Sequence, residues 1–249
     1  MFQLENKSAI VTGANGAIGS AIVRALIAQG ATVFLVGSAN SQQQLEEIRQ
    51  NHPEVAGYIA IDLTQSGAAN QIMISALEKM GKTDILVNCA GIAIDNLFLR
   101  ISEQEWDTQI DLNLKSTWAL TQVALKHMMQ KRQGRVISIS SVIGKAGNVG
   151  QVVYSTSKAA LYGMTMSLAR EVASRGITVN TISPGFIESP MTEKLINDPD
   201  LKQSILGRIP LNRIGTPAEV AAAVIYLASD EAGYITGIDL CISGGMWMG

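Results

Sequence analysis

Ser8-Ala9-Ile10-Val11-Thr12-Gly13-Ala14-Asn15-Gly16-Ala17-Ile18-Gly19 is the stretch on which the fold turns. Its first five residues form a short apolar run that stops at Gly13, as a buried parallel strand does. From Ala17 to Gln29 the pattern becomes helical, with Ile18, Ala21, Ile22, Ala25 and Leu26 on one face and Gly30 closing the element. Glycines between a strand and a helix let the backbone turn tightly and approach a pyrophosphate, and the helix N-terminus supplies free N–H groups and partial positive charge. A glycine-rich turn alone also fits an ordinary strand-to-helix connection. Its position between a first strand and a first helix gives it weight.

The alternation continues along the chain. Thr32 to Val36 reads as a second strand, about Ser41 to Asn51 as a polar helix, and Gly57 to Ile61 as a third strand ending at Asp62. A helix from about Ala68 to Lys79 leads to a fourth strand, Ile85 to Asn88. Trp106 to Lys131 is long and mostly helical, with Leu112, Leu114, Trp118, Leu120, Val123 and Ala124 as core candidates. Arg135 to Ser140 is a fifth strand, the helix carrying Tyr154 ends near Ser174, and Thr178 to Ile182 is a sixth strand. A helix from Pro217 to Leu227 precedes a seventh strand, Asp239 to Ile242. Strands alternating with helices argue for a parallel sheet covered on both faces. The expectation is an α/β fold: one doubly wound Rossmann-type domain over residues 1–249, a seven-stranded parallel sheet flanked by helices. Residues 185–215 break the rhythm, with Pro190, Pro199 and Pro210 and no clean strand. Such an insertion reads either as a substrate lid or as a plain helical excursion.

Composition narrows the function. The chain has 249 residues, 47% of them hydrophobic and 16% charged, which suits a compact globular protein able to bury a full core. A net charge of −2, with no basic tail, gives no reason to expect a nucleic-acid partner. No apolar run reaches about 18 residues, so no membrane span is expected, and the first residues lack the pattern of a signal peptide. The two cysteines, Cys89 and Cys241, lie far apart in apolar segments. They read as small buried residues in a reducing cytoplasm, without metal-ligand spacing, and no metal site is expected. His52 and His127 fall in polar helical surroundings and read as surface residues.

Chemistry concentrates at Tyr154-Ser155-Thr156-Ser157-Lys158. A tyrosine and a lysine four residues apart share one helix face. An ammonium beside the phenol favours the phenolate and draws its pKa down from about 10, making the tyrosine a usable acid/base. Ser140-Ser141 ends the fifth strand thirteen residues before Tyr154, so a serine hydroxyl can lie beside the phenol. Asn88-Cys89-Ala90-Gly91 ends the fourth strand, and Asp62-Leu63 follows the third, where an open sheet binds its ligand. Asn113 is a polar residue inside an apolar helical stretch, and a buried amide there needs partners; a helix kink or a structural hydrogen bond is the plainer role.

These motifs, taken in order, resemble those of the short-chain dehydrogenase/reductase family across essentially the whole chain: the Thr-Gly turn, the Asn-x-Ala-Gly strand end, Asn113, Ser141, Tyr-x-x-x-Lys, and Pro184-Gly185 after the sixth strand. Within the family the chain is most similar to the bacterial reductases of 3-oxoacyl groups carried on acyl carrier protein. The stretches Asp95-Asn96-Leu97, Glu171 to Asn180, Leu227 to Ala232 and Ser243-Gly244-Gly245-Met246 carry that similarity. It departs from the pattern at Ala17, where glycine is usual, at Gly16, where a basic residue is common, and at Cys89, which replaces an asparagine.

The resemblance implies NADPH-dependent reduction of a 3-oxoacyl thioester in fatty acid biosynthesis. Tyr154 would give the proton, Ser141 would bond the developing alkoxide, Lys158 would assist Tyr154 and hold the nicotinamide ribose, and Asn113 would hold a relay water. It implies cofactor contacts at Gly13, Ala14, Asn15, Gly16, Ile18, Gly19, Ser38, Asp62, Leu63, Cys89, Ala90, Gly91, Tyr154, Lys158, Pro184, Gly185 and Ile187. The neutral run Gly37 to Ser41, with no acid to repel a 2′-phosphate, points to NADPH over NADH, NAD remaining possible. Arg132 and Arg175 resemble positions that hold an acidic carrier, although cations at helix ends also complement the macrodipole. A cytoplasmic homotetramer is implied, with apolar faces at Trp118, Val123, Leu161 and Leu168. Two rivals remain: a family member acting on a coenzyme A thioester, sugar or cyclic alcohol, and a nucleotide-binding scaffold without turnover.

Overall fold

The computed structural model describes residues 1–190, 192 and 197–248. Its seven strands are β1 (Ser8–Thr12), β2 (Thr32–Gly37), β3 (Val55–Ala60), β4 (Ile85–Asn88), β5 (Gly134–Ile139), β6 (Ile177–Pro184) and β7 (Asp239–Ile242). They form one sheet in the order β3-β2-β1-β4-β5-β6-β7, and every neighbouring pair is parallel. The order reverses between β1 and β4, which opens a crevice at the carboxyl ends of those strands.

The helices are α1 (Ala17–Ala28), α2 (Gln42–Asn51), α3 (Ala68–Met80), α4 (Glu103–Ile110), α5 (Ser116–Lys131), α6 (Ile143–Ala146), α7 (Val152–Val172), α8 (Pro199–Leu206) and α9 (Pro217–Ala228). Alternate residues along each strand feed two cores. Ala9, Val11, Val33, Leu35, Ile85 and Val87 pack with Ile22 and Leu26 of α1 and with Val220 and Val224 of α9. Ile10, Phe34, Leu86 and Val136 pack on the other face with Ile72 of α3, Leu120 and Met128 of α5, and Val172 of α7. Burial on both faces explains why the strands read as continuous apolar runs rather than as alternating ones.

Two boundaries differ from the sequence expectation for a physical reason. β3 starts at Val55 rather than Gly57, because the register to β2 shifts between Val33 and Phe34 and admits the earlier residue. The long helix begins at Glu103, ahead of Trp106. Ser102 accepts the Glu105 amide while the Glu105 carboxylate accepts the Ser102 amide, a capping box. It is also interrupted: Asp111–Lys115 winds as a π turn between α4 and α5. Within the irregular 185–215 segment, Asp198 caps α8. A parallel bridge from Ile187 to Gly215 ties the segment's two ends together. Residues 191 and 193–196 of the expected lid lie outside the described residues.

Candidate active site

The glycine turn is built by contacts that leave no room for side chains. A Cβ on Gly19 would stand 2.0 Å from the Gly13 carbonyl oxygen, so α1 packs directly on the turn backbone. Gly13 has φ +63, and its α-carbon faces the Ala90 backbone, where a Cβ would come within 3.0 Å. Thr12 joins the two strand ends, its Oγ1 accepting the N–H groups of Cys89 (3.0 Å) and Ala90 (3.1 Å). The N-terminus of α1 has no side-chain cap and no acid in its first turn, which leaves its N–H groups for an anion.

From this turn a cavity of about 1170 Å³ runs over the carboxyl ends of the strands. It brings Gly13, Asn15, Gly16, Ile18, Gly19, Ser38, Asp62, Leu63, Cys89, Ala90, Gly91, Ser141, Tyr154, Lys158, Pro184, Gly185 and Ile187 onto one wall system. Two of the expected residues do not line it. Ala14 is buried behind the turn and spends its N–H on the Val36 carbonyl at 3.1 Å. Asn113 is buried behind Gly91; its amide donates to the Ile92 carbonyl (2.8 Å) and Ser157 Oγ (3.1 Å), and its Oδ1 accepts the Ile92 N–H (2.8 Å). These bonds make the side chain a clamp between the π turn, the β4 loop and α7, and they use both amide protons and one of the two acceptor sites of Oδ1. Ser189, Pro190 and Thr192 of the 185–215 segment also line the cavity.

Ser141, Tyr154 and Lys158 converge as the spacing requires. α7 starts at Val152, two residues before Tyr154, and carries Lys158 one turn on. Lys158 Nζ donates to the Ile139 carbonyl at 2.8 Å and lies 5.8 Å from the centre of the Tyr154 ring. A Cβ on Gly91 would meet both Lys158 Nζ and Asn113 Oδ1 at 3.2 Å, so that glycine keeps the strand end close to the lysine. Burial pushes the Lys158 ammonium down to about 8. Burial also holds the Tyr154 phenol above its ordinary value, against the Ser141 hydrogen bond, which lowers it. The net position of the phenol is therefore above its ordinary value, with burial as the largest cause. Both groups are largely buried in the cavity wall, and burial penalises the phenolate, while the Lys158 ammonium is turned to the Ile139 carbonyl.

Cys89 and Cys241 are half-buried rather than core residues. Cys89 lines the cavity, and burial pushes its thiol up to about 12, so it is no nucleophile. Sequence reasoning gave no role to Thr12, which is buried behind the cavity wall, and it missed the carboxylates Glu103, Asp107 and Asp111, which line the cavity. The signal for the carboxylates was present, since residues four apart share a helix face. Arg132 and Arg175 are both exposed. They precede β5 and β6, which places them at the amino ends of the strands, away from the cavity. Leu161, expected on an interface, lies in the interior at 1% exposure, whereas Trp118 is 51% exposed.

A family model described as Enoyl-(Acyl carrier protein) reductase matches residues 13–247. The 3-oxoacyl-[acyl-carrier-protein] reductase FabG of Vibrio harveyi is 44% identical over 245 residues, covering 98% of this chain and 99% of the relative. The reductase of the same name from Escherichia coli (strain K12) is 44% identical over 244 residues, with 98% of each chain covered. Nodulation protein G of Rhizobium sp. (strain N33) is 45% identical over 248 residues, with both chains fully covered. Among solved structures, that of gox2181 superposes with a TM-score of 0.92 at 33% identity, over 98% of this chain and 97% of the other.

Proposed function

We propose, from the premise that the chain belongs to the short-chain dehydrogenase/reductase family, that it is an NAD(P)H-dependent reductase of 3-oxoacyl thioesters. The observation that carries this reading is the meeting of Ser141, Tyr154 and Lys158 at the end of a cavity whose other end is the glycine turn. The side-chain-free cradle at Gly13 and Gly19 and the uncapped start of α1 fit a dinucleotide pyrophosphate. When bound, a reduced nicotinamide supplies hydride to a carbonyl carbon.

The chain's own residues do the rest. With its pKa raised by burial, Tyr154 carries its proton at neutral pH and is an acid in place. Its partner Ser141 offers a second hydroxyl to the same substrate oxygen, where negative charge develops. Lys158, with a pKa of about 8, is mostly an ammonium at neutral pH and stabilises the Tyr154 phenolate once the proton has left. The names of the relatives support a ketone over the carbon–carbon double bond named in the family description. Acetoacetyl and crotonyl thioesters separate the two: oxidation of the reduced dinucleotide should follow the first and not the second. Turnover of crotonyl thioester alone would overturn the reading.

NADPH is proposed over NADH, with a modest preference. The wall after β2 is Gly37, Ser38, Ala39 and Asn40, neutral and rich in donors, but no lysine or arginine other than Lys158 lines the cavity among the described residues. Equal or better kcat/KM with NADH would reverse this assignment.

Acyl carrier protein is proposed as the substrate's carrier, docking at Arg132 and Arg175. Arg132 Nη2 donates to the Ser174 carbonyl at 2.9 Å, which ties Arg132 to the turn that carries Arg175. They lie a strand's length, about 20 Å, from the cavity end of β5, and the proposal has a carrier seated there serve the cavity of a second copy. That ties docking to the proposed homotetramer, for which Trp118 and Met129 of α5 and Met166 of α7 offer exposed apolar surface. Reversing both arginines to glutamate should raise KM for carrier-linked substrate and spare a short thioester. Light scattering that shows only a 26.5 kDa species would remove both proposals.

A further inference from the structure

A second polar cluster ends on the backbone of Ser141 without lining the cavity. Tyr162, two turns beyond Tyr154 on α7, donates its hydroxyl to the Ser141 carbonyl at 2.6 Å. The same hydroxyl lies 3.0 Å from Ser183 Oγ on β6. Ser183 in turn donates to Asp239 Oδ1 on the edge strand β7 at 2.7 Å. Asp239 is held by Thr181 Oγ1 at 2.8 Å and by the Lys145 ammonium of α6 at 2.7 Å. Lys145 also lies 5.3 Å from the centre of the Tyr162 ring.

Proton counting gives the cluster a direction. The carboxylate of Asp239 accepts only, so it takes the Ser183 proton. The Ser141 carbonyl also accepts only, so the Tyr162 proton goes to it and is shared with Ser183 Oγ. The charge pair at Lys145 and Asp239 therefore fixes Ser183, Ser183 fixes the Tyr162 hydroxyl, and Tyr162 fixes the Ser141 peptide. Beyond the end of β5 at Ile139, Ser141 is tied to β6 on its N–H side only, where the Val142 N–H of the same peptide donates to the Pro184 carbonyl at 3.1 Å. The Ser141 carbonyl otherwise receives only the Gly144 N–H, at 3.0 Å from within the same turn. Among the described bonds, Tyr162 is the one partner of that carbonyl from outside the turn.

We propose that Tyr162, braced by Ser183, Asp239 and Lys145, is a positioning residue that holds the Ser141 hydroxyl against Tyr154. This rests on the reading of Ser141 and Tyr154 as the proton-handling pair. Small displacements of a group that must meet a transition state cost large factors in rate. Tyr162→Phe removes one oxygen and leaves the ring in place, so it isolates the hydrogen bond.

The test is a double-mutant cycle of Tyr162→Phe and Ser141→Ala, read as kcat with an acetoacetyl thioester and as dinucleotide Kd. Tyr162→Phe should lower kcat about tenfold with the dinucleotide Kd within about twofold. In the Ser141→Ala background the same change should cost less than about twofold, because its target is gone. Equal losses in both backgrounds, an unchanged kcat, or a parallel loss of dinucleotide affinity would overturn the proposal. Asp239→Asn should follow Tyr162→Phe in direction; if that variant does not fold, Tyr162→Phe decides.

A second measurement does not depend on turnover: titration of Tyr154 by NMR of ring-labelled tyrosine. The Ser141 bond lowers the Tyr154 pKa, whereas Tyr162 raises it. Loss of the Tyr162 hydroxyl by itself thus moves Tyr154 down, and only a loosened Ser141 moves it up, towards its position in Ser141→Ala. If the wild-type protein turns over no 3-oxoacyl thioester, the functional reading fails and this titration decides the positioning role: a Tyr154 that stays or falls in Tyr162→Phe refutes it.

Discussion

Replacing Lys158 by methionine should abolish reduction and make the fold more stable. Lys158 is 4% exposed, and burial lowers its pKa from 10.5 to about 8. At about 1.4 kcal/mol per unit, keeping it charged in the folded state costs on the order of 3 kcal/mol below pH 8. Against this stands its hydrogen bond to the Ile139 carbonyl, a charged bond contributing about 2 kcal/mol. Methionine fills the same channel with a flexible apolar chain, so the net gain at pH 7 is about 1 kcal/mol. The pH dependence is the sharper readout. Between pH 8 and 10.5 the unfolded lysine binds a proton that the folded one has lost, so wild-type stability rises with pH through this window. The variant has no such proton, and its advantage should shrink by about 3 kcal/mol and change sign. Urea unfolding at matched protein concentration, repeated from pH 7 to 10, measures this. A variant destabilised by more than about 1 kcal/mol at pH 7, or a wild-type-minus-variant difference that is flat in pH, would refute the reasoning.

Tyr154→Phe should remove nearly all turnover while leaving thermal unfolding and dinucleotide Kd close to wild type; retained kcat would mean that another group gives the proton. Gly19→Ala should abolish dinucleotide binding and lower Tm, because its Cβ would meet the Gly13 carbonyl oxygen at 2.0 Å; unchanged binding by fluorescence titration would contradict the cradle. Asn113→Ala should cost about 2–4 kcal/mol in urea unfolding, since it leaves the Ile92 N–H and carbonyl without the partners they have now; a loss below about 0.5 kcal/mol would show that water replaces the clamp.

Much of the fold was legible because parallel strands buried on both faces write themselves as unbroken apolar runs. β1 and β7 fall where the runs Ser8–Thr12 and Asp239–Ile242 lie. The glycine turn was legible for a similar reason: close backbone packing at Gly13 and Gly19 admits no side chain. The π turn at Asp111–Lys115 was not, because its residues have ordinary helical periodicity on either side. Only the polar Asn113 in an apolar stretch marked the place, and the mark showed that partners were needed without showing which. The helix start at Glu103 was written in the Ser102 and Glu105 pair, one turn before the first large apolar residue, Trp106.

In the site, spacing located the groups but not their energetics. Tyr154 and Lys158 sit one turn apart, and from that alone an ammonium should draw the phenol down. The spacing says nothing about the medium between them. Burial in the cavity wall penalises phenolate and ammonium together, so the phenol rises while the lysine falls to about 8. That combination suits the reduction proposed: the acid would keep its proton until a substrate oxygen takes it, and the lysine would retain charge at neutral pH to meet the phenolate that results. The bracing of Ser141 was less legible still. Tyr162 and Asp239 are far apart in the chain and share no periodicity, and they meet only because β6 and β7 pair with Thr181 opposite Asp239. A hydroxyl on α7, a strand pairing at the sheet edge and a lysine on a four-residue helix act together only after the sheet has closed, and single-residue patterns carry no record of that closure.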